Sequence, residues 1–151
     1  MGFEKYILKQ NAYTLLEIII VIVIISALVS LAIPKYTTTL EKTRLGEGLQ
    51  IIEALYKAQR AFFFEAGTGA YANTFAQLDV SIPAPNNFNL LTDANLTPPA
   101  PPAPAGSLAT VTRTGSYSLF VNAAGLITCG PVAFAATCNR IGCRGAGNPC
   151  N

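Results

Sequence analysis

The sequence has 151 residues, of which 51% are hydrophobic and 12% charged, with a formal net charge of +2. About a quarter of the residues are charged in an ordinary soluble domain, so this chain has an excess of apolar residues that needs cover. The sequence contains no His, which excludes His-based catalytic triads and His-liganded zinc. Its weak positive charge gives no direct signal for nucleic-acid binding.

The apolar residues are concentrated near the amino terminus. Residues 18–34 carry no charge and read IIIVIVIISALVSLAIP. A helix rises about 1.5 Å per residue, so this run is slightly shorter than the roughly 30 Å hydrocarbon core of a membrane, and adding residues 13–16 makes it long enough. Lys5 and Lys9 precede the run, and basic residues ahead of an apolar helix predict a cytoplasmic amino terminus. We therefore predict one membrane-spanning helix.

Two ordinary interpretations of this run leave Glu17 unexplained. A secretory signal would be cleaved after the apolar stretch, where Ser30-Leu31-Ala32 offers the required small residues. A plain signal anchor would hold an extracytoplasmic domain on the membrane. Glu17 lies at the edge of the run, where a carboxylate is costly unless it has a specific partner. The alternative to such a partner is a carboxylate that reaches back to the membrane interface.

A third interpretation comes from the residues around Glu17. Residues 12–17, AYTLLE, followed by the apolar run and by Pro34-Lys35-Tyr36, resemble the amino terminus of type IV pilins and pseudopilins. The resemblance covers about the first 35 to 50 residues. It implies that a prepilin peptidase removes residues 1–12 as a leader peptide, cutting between Ala12 and Tyr13. The family nearly always has Gly at the last leader position, for which Ala12 is the smallest substitute.

The resemblance also implies what individual residues do. Glu17 becomes the fifth residue of the mature chain, and its carboxylate pairs with the amino terminus of a neighbouring subunit, which sets the register of a filament. Charge and the helix dipole both favour that pairing. Pro34 falls where the family has its helix-breaking proline. A proline kinks or opens a helix because it has no amide hydrogen and clashes with the preceding turn.

The implied partners are further copies of the chain, a prepilin peptidase that is also an N-methyltransferase, an inner-membrane assembly platform, and the lipid bilayer before assembly. The precursor would cross the inner membrane once with its amino terminus in the cytoplasm, and the assembled filament would lie on the cell surface. No cofactor and no catalytic residue is expected. A pseudopilin of a type II secretion system and a membrane-anchored extracytoplasmic binding module are the alternatives.

The pattern predicts that the helix continues beyond the apolar run. Residues 13–35 form the transmembrane and assembly helix, and residues 36–66 extend it with an amphipathic pattern. The apolar residues of this extension that recur at steps of three, four or seven are Leu45, Leu49, Ile52, Tyr56 and Phe63. Glu53 precedes Lys57 by four residues, which is a favourable order for an ion pair on a helix.

The rest of the chain predicts an α+β fold. Residues 67–107 form a connecting loop with a Pro-rich segment at residues 98–104, PPAPPAP. Within it, residues 86–95 are polar with few apolar anchors. Residues 108–129 alternate apolar and polar residues around turns at Thr114-Gly115 and Ala124-Gly125. We therefore predict a small antiparallel sheet of three to four strands that covers the amphipathic half of the helix.

Residues 130–151 form a Cys-rich carboxy-terminal loop in the prediction. The four cysteines of the chain are Cys129, Cys138, Cys143 and Cys150. Without a Cys-x-x-Cys motif or a His, a zinc site is disfavoured, and too few acidic residues follow Glu65 for calcium, so no metal is expected. Exported cysteines in even number favour two disulfides. Three connectivities are possible, and we favour Cys129–Cys138 with Cys143–Cys150 because short loops close at the least entropic cost.

Overall fold

The structure is a computed structural model that describes residues 13–67, 69–96, 104, 106–143 and 150. The predicted leader peptide and all but the last residue of the predicted Pro-rich segment lie outside these residues. The chain divides into two compact units, Met1–Thr37 and Thr38–Asn151. We call the second unit the head.

The longest element is helix α1, Leu15–Ala66, which has 52 residues and contains Pro34 in its interior. In the first unit, every described residue of this helix is exposed. The helix contains an 18-residue window with a mean hydropathy of 3.0, none of which is buried. By length and composition it is able to cross a membrane, although a signal sequence passes the same test.

In the head, the amphipathic part of α1 packs against a three-stranded antiparallel sheet. The strands are β1 (Ser107–Thr112), β2 (Ser118–Asn122) and β3 (Ile127–Gly130), and they lie in the order β1-β2-β3. The predicted α+β fold is therefore confirmed, with three strands and a sheet one residue longer at each end than predicted. Tyr117, which lies between the two predicted turns, comes directly before β2.

The core of the head lies between α1 and one face of the sheet. Ile52 and Leu55 of the helix are fully buried, as is Leu119 of β2. Residues 86–95 are polar with few apolar anchors, and the loop reaches the core through one of them and through the residue that follows. Phe88 is 5% exposed and pairs by a β-bridge with the residue after β1, and Leu96 is 1% exposed and bridges to β1 itself. Two apolar residues are enough to hold this loop because each enters the main core.

The carboxy-terminal segment contains a second helix, α2 (Ala135–Ile141), where the sequence predicted only a loop. The helix ends at Gly142, which adopts the left-handed conformation with a φ of 105° that glycine accepts without strain. Cys138 of α2 is bonded to Cys129 of β3, and both are fully buried. Cys143 is bonded to Cys150, whose backbone N–H donates to the Ile127 carbonyl at 2.9 Å. The first disulfide ties this segment to β3, and the second closes a loop within the segment whose end is hydrogen-bonded to β3.

A buried glutamine joins the end of α1 to the chain that follows it. Gln59 has no exposed surface, and its Nε2 donates to the Ala72 carbonyl at 2.8 Å. The Ala72 N–H donates in turn to Gln59 Oε1 at 2.8 Å. The side-chain amide of Gln59 thus satisfies both the N–H and the carbonyl of Ala72. Buried backbone groups outside a sheet need such partners because they cannot bond to water.

Gly48 sets the distance between α1 and its neighbours. A Cβ atom at this position would lie 2.4 Å from Cζ of Phe88 and 2.9 Å from Cδ1 of Leu119. Both distances are far below van der Waals contact, so only a residue without a side chain fits here. Gly46, two residues earlier, has nothing within 4 Å of an added Cβ.

These two glycines give a matched test of the packing. We expect Gly48→Ala to destabilise the head by about 1–3 kcal/mol, because Phe88 must move out of its place in the core. Gly46→Ala should leave stability unchanged or raise it by up to about 1 kcal/mol, since alanine is the better helix former. Urea unfolding of the detergent-solubilised chain, followed by circular dichroism, measures both. Equal effects of the two substitutions would contradict the close approach at Gly48.

Candidate assembly site

Thr14 caps the amino end of α1. Its Oγ1 accepts a hydrogen bond from the Glu17 backbone N–H at 3.2 Å, and its carbonyl accepts from the same N–H at 3.1 Å. A hydroxyl in this position satisfies one of the N–H groups that every helix leaves free at its start. Thr14 and Glu17 have the Thr-x-x-Glu spacing of a capping box. This role of Thr14 is absent from the predictions above, although the Thr-x-x-Glu spacing alone indicates it.

Glu17 lies in the first turn of α1. The partial positive charge at the start of a helix stabilises a carboxylate there by about 0.3–1 kcal/mol. Tyr13, directly before the cap, is 74% exposed. Ala12 lies outside the described residues, so Tyr13 is the one residue of the predicted cleavage site that the structure describes. An amino group created at Tyr13 would be one residue from the helix cap.

The apolar run presents a uniformly apolar surface. Its large side chains between Ile18 and Ile33 are all at least 44% exposed. The hydroxyl of Ser26 donates to the Ile22 carbonyl at 2.6 Å, and that of Ser30 donates to the Ala27 carbonyl at 2.8 Å. Because each serine is satisfied within its own helix, neither needs a polar partner on the outside.

In the head, Glu41 joins the helix to the end of β1. Arg44 Nη1 donates to Glu41 Oε1 at 2.7 Å, and Arg113 Nη2 donates to the same oxygen at 2.9 Å. Burial, with a smaller contribution from the Glu41 carboxylate, raises the pKa of the Tyr117 hydroxyl to about 12. Among the described residues, Glu41 Oε2, Arg113 Nε and the Tyr117 hydroxyl make no hydrogen bond. One carboxylate oxygen of Glu41 therefore links α1 to Arg113, the residue after β1.

A second carboxylate holds the loop that follows α1 in the chain. Glu47 Oε1 accepts from the Asn86 backbone N–H at 2.6 Å, and Oε2 accepts from Asn87 Nδ2 at 2.6 Å. The Asn87 side-chain hydrogen bond, helped by the backbone N–H groups of both asparagines, lowers the pKa of Glu47 below its ordinary value of 4.5, and burial opposes this only in part.

Comparison with known proteins bears on the amino-terminal half. Residues 7–33 match the family described as the prokaryotic N-terminal methylation motif. The chain is also 32% identical over 65 residues to the type IV major pilin protein PilA of Myxococcus xanthus (strain DK1622). The methylation motif and the similarity to a pilin support the type IV pilin and prepilin family for this chain. The resemblance that residues 12–36 suggested is therefore confirmed.

The similarity to the Myxococcus pilin covers 43% of this chain and 30% of the relative. No solved structure matches the chain. The family model matches the region that holds the capped helix and most of the apolar run. The arrangement of the head is known from the present structure.

The predicted site residues lie in separate parts of the chain. Tyr13 and Glu17 lie within one turn at the start of α1, and Pro34 lies inside the same helix. The cysteines are at the opposite end of the chain. The roles of Glu17 in register and of Pro34 in bending the helix stay predictions, as does cleavage after Ala12.

The lowered pKa of Glu47 makes the stability of the head depend on pH. A carboxylate with a lowered folded-state pKa adds stability above its unfolded value, here about 4.5, and this contribution is lost as the pH falls through the lower folded value. We expect Glu47→Gln to flatten the pH dependence of the unfolding free energy below about pH 5. Asn87→Ala should flatten it in part, because the backbone N–H groups of Asn86 and Asn87 still lower the pKa of Glu47, and the double variant should behave like Glu47→Gln. Urea unfolding at several pH values tests this, and independent effects of the two substitutions would contradict the pairing.

Proposed function

We propose that this chain is a prepilin that is cleaved between Ala12 and Tyr13 and polymerises through α1 into a type IV pilus-like filament. The observation that carries the proposal is the methylation motif at residues 7–33, which contains both the cleavage site and Glu17. Before assembly, the helix anchors the chain in the inner membrane with its amino terminus in the cytoplasm. Afterwards, the head forms the outer surface of the filament.

The exposed apolar run supports polymerisation. The described residues of the first unit offer no cover for it, as every one of them is exposed. Lipid covers such a surface in the precursor. In the filament, the runs of neighbouring subunits cover one another, and the two satisfied serines allow the same surface to face lipid or protein.

The position of Glu17 supports its role in assembly. A carboxylate in a lipid environment costs a few kcal/mol unless it is neutralised. Cleavage before Tyr13 would create a positive amino group, and the Glu17 carboxylate of one subunit would pair with the Tyr13 amino group of the next. The pair would form between groups at helix starts, where the dipole already favours the carboxylate.

The proposed partners are further copies of the chain, a prepilin peptidase with methyltransferase activity and an inner-membrane assembly platform. The role is structural, with no catalytic residue assigned. A pseudopilin of a type II secretion system would share the same processing and helix. It would differ in forming a short pseudopilus within the cell envelope, which electron microscopy of sheared surface filaments distinguishes from a pilus.

The proposal makes a prediction about cleavage of the leader peptide. Subunits isolated from filaments should begin with a methylated Tyr13 in amino-terminal sequencing and intact-mass measurement. Ala12→Gly should be processed at least as fast as the natural chain, because it restores the usual residue of the family. A large residue such as Leu at position 12 should leave the precursor uncleaved. Chains that remain on the membrane and begin with Met1 would instead indicate an anchored binding module.

The proposal also makes a prediction about the carboxylate of Glu17. We expect Glu17→Ala to abolish filaments while the head stays folded, because the carboxylate for a neighbouring amino terminus is gone. Glu65→Ala is the matched control, since it removes an exposed carboxylate from the other end of the same helix. Electron microscopy and subunit counts in the sheared fraction measure assembly. Normal filaments from Glu17→Ala would show that the proposed pairing is wrong.

A further inference from the structure

Strand β1 lies at one edge of the sheet in the head, with β2 on its inner side. Just beyond β1, the Arg113 N–H donates to the Tyr117 carbonyl, next to β2, at 2.9 Å. Successive residues of an antiparallel strand alternate the side to which their backbone groups point, so Thr110 and Thr112 point theirs away from β2. Backbone groups in such a row bond to any further strand that reaches them, unless they are covered.

The sequence of β1 suits pairing with a copy of itself. It reads SLATVT, which has no charge, no Pro and no Gly, and three of its six residues are β-branched. Short uncharged segments of this kind are typical of strands that stack on identical strands. In an antiparallel pair of two β1 strands centred on Val111, Thr110 of each copy is opposite Thr112 of the other. The outward backbone groups of both strands then find partners.

A loop of the same chain covers this edge. We call residues 88–96, which run antiparallel to β1, the edge strap. Its first residue, Phe88, makes a β-bridge with Arg113, and its last residue, Leu96, makes one with Ala109. Both strap residues are buried, whereas every residue between them is exposed or half-buried. The strap is therefore fixed at its two ends.

Two hydrogen bonds cover the edge between the bridges. The Asn89 backbone N–H donates to the Thr112 carbonyl at 2.8 Å. The Thr110 carbonyl accepts from a side chain instead, Asn95 Nδ2, at 3.0 Å. Asn95 Oδ1 accepts in turn from the Thr92 N–H at 2.8 Å. The Asn95 amide thus joins the edge of β1 to the backbone of the strap.

We propose that the outer edge of β1 is a latent pairing surface for β1 of a second copy of this chain, and that the edge strap, held by Asn95, keeps this surface closed. Between its two bridges the strap places seven residues, 89–95, opposite three residues of β1, 110–112. It therefore cannot pair residue by residue as a strand does. The cover depends on a few contacts, and Asn95 makes the one at Thr110.

A closed edge matters where copies of the chain lie side by side. Chains held in one membrane or one filament, as in the proposed function, keep their heads at a high local concentration. Pairing between sheet edges would then join heads irrespective of the contacts between their helices. Natural sheets protect their edges against such pairing. The inference concerns the folded head, so it goes beyond the proposed filament and does not depend on it.

Hydrogen–deuterium exchange of the full chain in detergent tests the closure. Asn95→Ala removes a hydrogen bond from the edge, which changes the opening equilibrium of the strap by a factor of about five. We expect the backbone amides of residues 107–112 to exchange faster by this factor than in the natural chain, while the amides of β3 keep their rates. Asn95→Asp is a second variant of nearly the same shape. It keeps the acceptor for Thr92 and loses the donor to Thr110, so it should also speed exchange in β1.

Asn122→Ala is the matched control. Asn122 Oδ1 accepts from the backbone N–H groups of Ala124 and Leu126, in the turn between β2 and β3. The substitution therefore removes comparable hydrogen bonds from the same sheet without uncovering the edge of β1. We expect faster exchange in that turn and unchanged exchange in residues 107–112.

Light scattering of the same samples tests the pairing surface. In a concentration series, we expect the Asn95→Ala chain to associate beyond the natural chain and to gain the infrared band of antiparallel strands paired between molecules. The Asn122→Ala chain should scatter like the natural chain. In the associated fraction of Asn95→Ala, exchange in residues 107–112 should become slower again, because a second copy now covers the edge.

Each outcome decides one part of the proposal. Natural exchange rates in β1 of both Asn95 variants would overturn the role of the strap. Faster exchange in Asn95→Ala without added association would overturn the latent pairing surface. Equal association of Asn122→Ala would show that lost stability, and not the uncovered edge, joins the heads. A natural chain that forms no filaments, with the other results as expected, would overturn the proposed function alone.

Discussion

The apolar run of α1 has no cover within the described part of its own chain, and the rest of the molecule is organised around this constraint. Burying one Ile, Leu or Val side chain contributes about 1.5–3 kcal/mol relative to exposure in water. A handful of such side chains therefore equals the net stability of a whole domain, about 5–15 kcal/mol. Exposing the surface between Ile18 and Ile33 to water would therefore be costly, and in the proposed function lipid and then other subunits cover it.

An apolar surface does not by itself fix how two chains are placed against each other, because apolar contact is not directional. Polar groups at the edge of the surface must fix that placement. Thr14 caps the helix and leaves the Glu17 carboxylate in the first turn, where a positive group of another chain can meet it. In the head, the sheet packs on one face of α1. One helix thus contributes to the core of the head and, in the proposed function, also anchors the chain and joins it to other subunits.

Much of the fold follows from signals between residues close in the chain. The apolar run, the steps of three and four along the helix, and the turns between strands each depend on local spacing. The contact of Glu41 with Arg44, three residues away, is of this kind. Arg113 joins the same carboxylate from 72 residues away, and no spacing rule predicts that. Phe88 and the asparagines that hold Glu47 likewise lie in a loop whose polar composition concealed its role in the core.

The sequence by itself determined the pilin-like amino terminus, the α+β class and the antiparallel sheet, because periodicity and short motifs record local chemistry directly. Only the tertiary structure decided which glycine must remain a glycine, which glutamine supports the backbone and which loop residues join the core. Gly46 and Gly48 look alike as residues that weaken a helix. They differ because one faces open space and the other faces Phe88 at a distance that leaves no room for a methyl group. That difference arises from packing between segments far apart in the chain, which local patterns do not encode.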